Sequence, residues 1–246
     1  MEILFTGEEK LVATLRARTN LASRCGDLAS ASDDTAAAVY CVSGETAVMT
    51  DYATLRAAFE NLKSRRITVA VCFADFPRQA ENWLMYWAMV LPFVDWLIIP
   101  YAAALAMFEG DQFAETNGAP DAEYAAAVSL SVINLGAAAA LFTFSPVGVY
   151  LRSSSIADRL AHAGKLAATT DEDWRAREIF TTREADAPTA TAGLLNAATQ
   201  KPAALLAELG KPADYALASH IIDAGEFSRY RASGKVFLGK FDKVEA

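Results

Sequence analysis

Basic residues are in deficit in this 246-residue chain: 22 Lys and Arg stand against 30 Asp and Glu, a formal net charge of −8. Such a surface repels a polyphosphate backbone, so nucleic acid is not an expected partner. Histidine is nearly absent. His162 and His220 are too few for a histidine-rich zinc site, no metal site is expected, and each ring reads as a helix-surface or packing residue. Cys25, Cys41 and Cys72 are odd in number and far apart, which fits neither a disulfide framework nor a Cys-x-x-Cys site; they read as reduced core thiols. The opening segment, Met1 to Lys10, lacks the basic residues and apolar h-region of a signal peptide or presequence, so the expected location is cytoplasmic.

What the chain does have is apolar surface to bury: 53% of residues are apolar and only 21% charged, with a mean hydropathy of +0.18. Neither a disordered chain nor a charged coiled coil fits. The length predicts one domain spanning residues 1–246. Two apolar stretches raise the question of a two-span membrane protein: Trp83 to Phe108, charged only at Asp95, and Ala125 to Leu151, with no charge before Arg152. Pro92 and Pro100 break the first, since proline inside a helix removes a hydrogen bond at a cost of about 3 kcal/mol. It divides into a helix from Arg78 to Val90, a strand Trp96 to Ile99, and a second helix. The second stretch divides into a helix Ala122 to Leu135, a turn at Gly136, a strand Ala139 to Phe144, a Ser145-Pro146 turn and a strand Val147 to Leu151.

The same alternation runs through the rest. Thr35 to Val42 reads as a strand, Asp51 to Ser64 as an amphipathic helix burying Leu55, Phe59 and Leu62, and Ile67 to Phe73 as a strand apolar on both faces. Thr189 to Thr199, Ala203 to Leu209 and Pro212 to Asp223 read as helices, and Val236 to Leu238 as a terminal strand. Strand and helix in alternation predict an α/β, doubly wound sheet.

Within this order, Val90-Leu91-Pro92-Phe93-Val94-Asp95-Trp96-Leu97-Ile98-Ile99 resembles the stretch in adenosine kinases, of the ribokinase (PfkB) superfamily, where a helix ends in a Pro-Tyr-x-Asp turn and enters a strand. Thr6 to Ala13 with Asn20 resembles the family's Thr-Gly-x-x-Arg-x-Leu-Val-Ala segment, Tyr40 to Gly44 its Tyr-x-x-Ser-Gly strand end, and Leu141-Phe142-Thr143 its Val-Phe-Thr strand. Thr181 to Asp186 falls where the family has Asp-Thr/Asn-Gly-Ala-Gly-Asp, Gly193-Leu194-Leu195 follows, and Asp214-Tyr215-Ala216 and Gly225 sit at the spacing of its His-Tyr-Ala and following glycine. The resemblance implies a ribokinase-like doubly wound, mostly parallel sheet flanked by helices, without the family's N-terminal strands and lid.

The catalytic motifs are altered. In the family, Gly-Ala-Gly ahead of the catalytic aspartate presents backbone N–H groups to the transferring phosphoryl group. The cofactor-binding positions here are Arg183, Glu184 and Ala185, a degenerate anion hole in which Glu184 faces a phosphate with like charge. One such contact at 4 Å and an effective dielectric of 20 costs about 4 kcal/mol, roughly a thousandfold in rate. The family's Asn-x-x-Glu, which organises magnesium, corresponds to Pro100-Tyr101-Ala102-Ala103, and its Asn-Leu-Ser-Ala-Pro-Phe to Cys72-Phe73-Ala74-Asp75-Phe76-Pro77. Asp186 stands at the position of the catalytic general base. It also suits an N-cap ahead of Pro188, and with the motifs around it altered the cap is the expected role.

Lesser candidates read blandly. Asp171-Glu172-Asp173 is a solvated helix start, and Trp83, Tyr86 and Trp87 are core packing. Arg229, Arg231, Lys235, Lys240 and Lys243 form a local basic patch, mere surface or a dock for an acidic partner.

Losing opening strands leaves an interior sheet edge and apolar faces that something must cover. The expectation is therefore a catalytically inactive, adenosine kinase-like structural subunit needing no cofactor, its protein partners belonging to a cytoskeletal, axonemal or organellar assembly. The alternative is an active nucleoside kinase of purine salvage, passing the γ-phosphate of ATP to the ribose 5′-hydroxyl with Mg, Asp186 as base and a partner chain completing the site.

Overall fold

The computed structural model describes residues 1–43, 51–74, 87–101, 103–104, 122–144, 148–166, 174–175, 177–181, 185–200, 204–205, 215–217 and 236–240. The chain opens on β1 (Glu2–Gly7) and α1 (Glu9–Arg18), followed by β2 (Ser23–Cys25), β3 (Thr35–Val42), α2 (Tyr52–Ser64) and β4 (Thr68–Phe73). Next come β5 (Trp96–Pro100), α3 (Ala122–Asn134), β6 (Ala139–Phe144), β7 (Gly148–Ser153) and α4 (Ala157–Ala161). β8 (Arg177–Thr181), α5 (Ala187–Ala197), β9 (Tyr215–Leu217) and β10 (Val236–Lys240) complete the described elements.

All the described strands join one sheet, ten-stranded among the described residues, in the order β2-β1-β3-β4-β5-β6-β7-β8-β10-β9. β1 to β6 are mutually parallel, whereas β7, β8 and β10 add antiparallel pairings on the far side. The near-continuous apolar runs of β3, β4 and β6 follow from this arrangement, because a parallel strand with helices on both faces has no side to give to water. Alternate residues supply two cores. Leu4, Val69, Val71, Leu97 and Phe142 meet Leu55, Phe59 and Leu62 of α2 and Val128 and Val132 of α3. Ile3, Phe5, Val39, Ala70, Ile98 and Leu141 meet Leu11, Val12 and Leu15 of α1 and Leu194 and Leu195 of α5. Each large side chain so buried contributes about 1.5–3 kcal/mol. Among the described residues no helix is long and apolar enough to cross a membrane.

β3 and β6 keep the bounds expected from the sequence, and α2 begins one residue after Asp51, its N-cap, whose carboxylate accepts from the Ala53 and Thr54 amides. Two expectations are corrected. Tyr215–Leu217 lies in the segment read as a helix from Pro212 to Asp223 but is a strand paired in parallel with Val236–Leu238. An edge pairing formed at a distance has overridden the helical preference of its alanines. Cys25 is exposed rather than a core thiol, because it ends the short edge strand β2, where Arg16 Nη1 donates to its Sγ at 3.5 Å. β1 pairs with β2 on one side and β3 on the other. The edge itself is β2, only three residues long.

Candidate functional site

In open parallel sheets, ligands bind beyond the carboxyl ends of the strands. Here that edge starts with the turn from β1 into α1. Gly7 adopts φ +106°, and the Glu8 amide donates to the Cys41 carbonyl at 3.0 Å, tying the turn to β3. Ala74 N–H donates to Val42 O at 3.0 Å in the next gap. One Glu8 carboxylate oxygen is buried and unpaired among the described residues. Cys41 and Cys72 are register partners across β3 and β4. Burial pushes the Cys72 thiol up to about 12; a hydrogen bond from Thr191 opposes this and the nearby Asp186 charge adds to it. Burial likewise pushes Cys41 well up, helped by Cys72, Cys25 and Glu8. Neither thiol supplies a thiolate nucleophile at neutral pH.

Asp186 is the N-cap of α5. Its Oδ1 accepts from Thr189 N at 2.7 Å and from the Thr189 hydroxyl, and pairs with Arg18 Nη1 at 2.8 Å. Burial pushes the carboxyl up, but the two Thr189 bonds and the Arg18 guanidinium outweigh that and hold it below its ordinary range. The helix forms here because Asp186 precedes Ala187-Pro188, where the missing proline N–H costs nothing and the cap satisfies the amide that follows. α5 then runs back beside α1, and Asn196 Oδ1 accepts from the Asn20 amide at 3.0 Å. Arg18 carries no signal in the sequence, being 168 residues from its partner and an unremarked basic residue in the last turn of α1. Replacing Asp186 with Ala is expected to lower stability by about 1 kcal/mol, the ordinary value of a lost cap, as read from the urea midpoint.

Ala185 is buried, 6% exposed, immediately before the cap. Arg183 and Glu184 lie outside the described residues, as do Ala102, Asp171 to Asp173, Trp83, Tyr86, His220, Arg229, Arg231, Lys235 and Lys243, and the side chain of Lys240. Pro100 ends β5 and Tyr101 follows it, 4% exposed, its ring 6.0 Å from that of Phe142; Ala103 is fully buried. Trp87 is core packing as expected, set edge-on against Phe73 and Tyr52, with its indole N–H unpaired among the described residues. His162 is exposed, its Nδ1 against the Asp158 carbonyl. An apolar cavity walled by Trp96, Ala139, Leu160, Trp174 and Leu194 lies at the opposite edge, where β5 and β6 begin.

No protein-family model and no curated protein matches the chain by sequence. Solved structures do. A protein assigned as a phosphomethylpyrimidine kinase from Bacteroides thetaiotaomicron, determined with pyridoxal, superposes with a TM-score of 0.53 at 8% identity, covering 85% of this chain and 84% of its own. The fold is that of the ribokinase-type kinases. Fructokinase from Xylella fastidiosa aligns over 73% of this chain and 49% of its own, at 15% identity and a TM-score of 0.42. On this fold Asp186 occupies the start of a helix beside the carboxyl end of β4, near enough to Cys72 for its charge to help hold that thiol protonated.

Proposed function

We propose that this ribokinase-type chain is catalytically silent and works by contact, as a subunit held by protein partners. The observation that carries this reading is the state of Asp186: the carboxylate a kinase would use as base accepts three hydrogen bonds on one oxygen, from the α5 cap and from Arg18. A general base needs a lone pair aimed at substrate and an affinity for protons that these donors lower. Pro100 and Ala103 support the same reading, since they offer a half-buried pyrrolidine ring and a buried methyl where the adenosine kinase motif has amide and carboxylate oxygens. That set does not fit Mg.

A second reading, an active nucleoside kinase using ATP and Mg with a partner completing its site, draws support from Asp186 being partly solvent-accessible at a helix N-terminus on the carboxyl edge. A phosphorylation assay with adenosine, ATP and Mg separates the two. The expected result is no turnover, and no heat of ATP–Mg binding by calorimetry. Turnover that Asp186→Asn abolishes overturns the silent reading. Size-exclusion chromatography with mass measurement checks the contact role, which a well-behaved monomer would contradict.

A further inference from the structure

Residues 154–166 cross the amino-terminal edge of the parallel strands, from the end of β7 towards the start of β3. Ser154 N–H donates to Ala138 O at 2.8 Å and Arg159 donates to Ile133 O, fixing the near end. The far end is held at Thr68, whose hydroxyl donates to Ala163 O at 2.7 Å and accepts from Leu166 N at 3.2 Å. Lys165 N–H donates to Arg66 O at 2.8 Å, and its Nζ to Asp33 O at 2.8 Å. Gly164, at φ +90°, lets the backbone lie directly on Thr68.

Midway along this path stands Asp95, 4% exposed, the one charge of the first apolar stretch. Its Oδ2 accepts from Val69 N at 2.8 Å and its Oδ1 pairs with Lys63 Nζ, which also donates to His162 O in the crossing segment. Its backbone carbonyl accepts from Ala138 and Ala139 N–H, and Ala138 packs with Leu160 and Ala163. The carboxyl is thus joined to α2 and β4, the Asp95 carbonyl to the residues entering β6, and Lys63 links the carboxyl to the segment above. Around it α2 contributes Lys63, the turn before β4 Arg65 and Arg66, and the crossing segment Asp158, Arg159, His162 and Lys165. Of these described groups only Lys63 is ion-paired with the carboxyl.

We infer that residues 154–166 form a strap whose closure over Asp95 is coupled to proton uptake by that carboxyl, so that acidification tightens the strap. Closure takes the carboxyl out of water, which favours its neutral form, and opening returns it to water, which favours the ion. Linkage then requires protons to favour the closed arrangement. The direction of the Asp95 shift agrees: burial raises it to about 6, against opposing contributions from Lys63 and Val69 N–H.

Hydrogen exchange of the Lys165 and Leu166 amides, normalised to intrinsic rates, tests this. In the native chain their protection is expected to rise about tenfold from pH 7.5 to pH 5, while remaining below that of the core amide of Val39. Asp95→Asn is expected to flatten the rise, and His162→Asn to leave it intact. Protection that is constant or falls on acidification overturns the inference. So does a rise that survives Asp95→Asn or vanishes with His162→Asn, or strap protection equal to that of Val39, which would mean no separate opening. The measurement on the native chain stands even if Asp95→Asn does not fold.

Discussion

Gly7→Ala is expected to cost the chain a large part of its folding stability. A Cβ at this position would lie 1.9 Å from the Cys41 carbonyl oxygen and 2.9 Å from its carbon. Both are backbone atoms of β3, a strand paired on each side and closed over by α1 and α5, so neither can swing away. The φ of +106° adds strain that an L side chain rarely tolerates. Relief would require separating β1 from β3 and losing the Glu8 to Cys41 bond that starts α1. The combined cost is expected to exceed about 4 kcal/mol, a large part of the roughly 5–15 kcal/mol that holds a domain together. Gly26→Ala is the matched control. Its Cβ would meet the Ser30 hydroxyl and an Arg24 guanidinium nitrogen, ends of side chains that can move. Urea unfolding should show the control within about 1 kcal/mol of the native chain. A Gly7→Ala variant with a native midpoint would mean that the turn is not built as described.

The contrast between Gly7 and the elements around it bears on what was legible in advance. β3, β4 and β6 are readable because a strand buried on both faces is apolar almost throughout, a pattern needing no knowledge of its neighbours. The Asp186 cap is readable because its donor lies within three residues. β2 and β8 are not: β2 is three residues with no full period, and β8, Arg-Glu-Ile-Phe-Thr, owes its place to the antiparallel partners β7 and β10. Tyr215–Leu217 reads as helix for the same reason, its pairing being with residues about twenty further on. At the candidate site, Asp186 itself was visible by its place before Ala187-Pro188, whereas Arg18 was not. The amino edge behaves alike. Asp95 stands out as a solitary charge in an apolar stretch, but Lys63, which neutralises it, is simply one of the basic residues on an amphipathic helix.

That pair carries the second large effect. Lys63→Met is expected to destabilise the protein by about 3–5 kcal/mol at pH 7.5, because it leaves the Asp95 carboxylate buried without a countercharge. Most of the loss should return at pH 5. The sign follows from linkage. The folded-state carboxyl, already raised to about 6 beside Lys63, moves higher still when the cation that lowers it is gone. The unfolded chain keeps an ordinary carboxyl near 3.8, so between these values the folded state holds a proton that the unfolded state has shed. Stability from this group is therefore present at low pH and declines as pH rises through the folded value, with about 3 kcal/mol at stake for the native pair. Combining Lys63→Met with Asp95→Leu removes both charges and leaves no orphan charge, and should recover most of the neutral-pH loss despite the buried Val69 N–H, which loses Asp95 as its acceptor. Urea midpoints at both pH values for the native chain and the two variants provide the check. A Lys63→Met penalty that is equal at pH 5 and pH 7.5 would show that Asp95 does not take up a proton in this range, and would remove the physical basis of the strap with it.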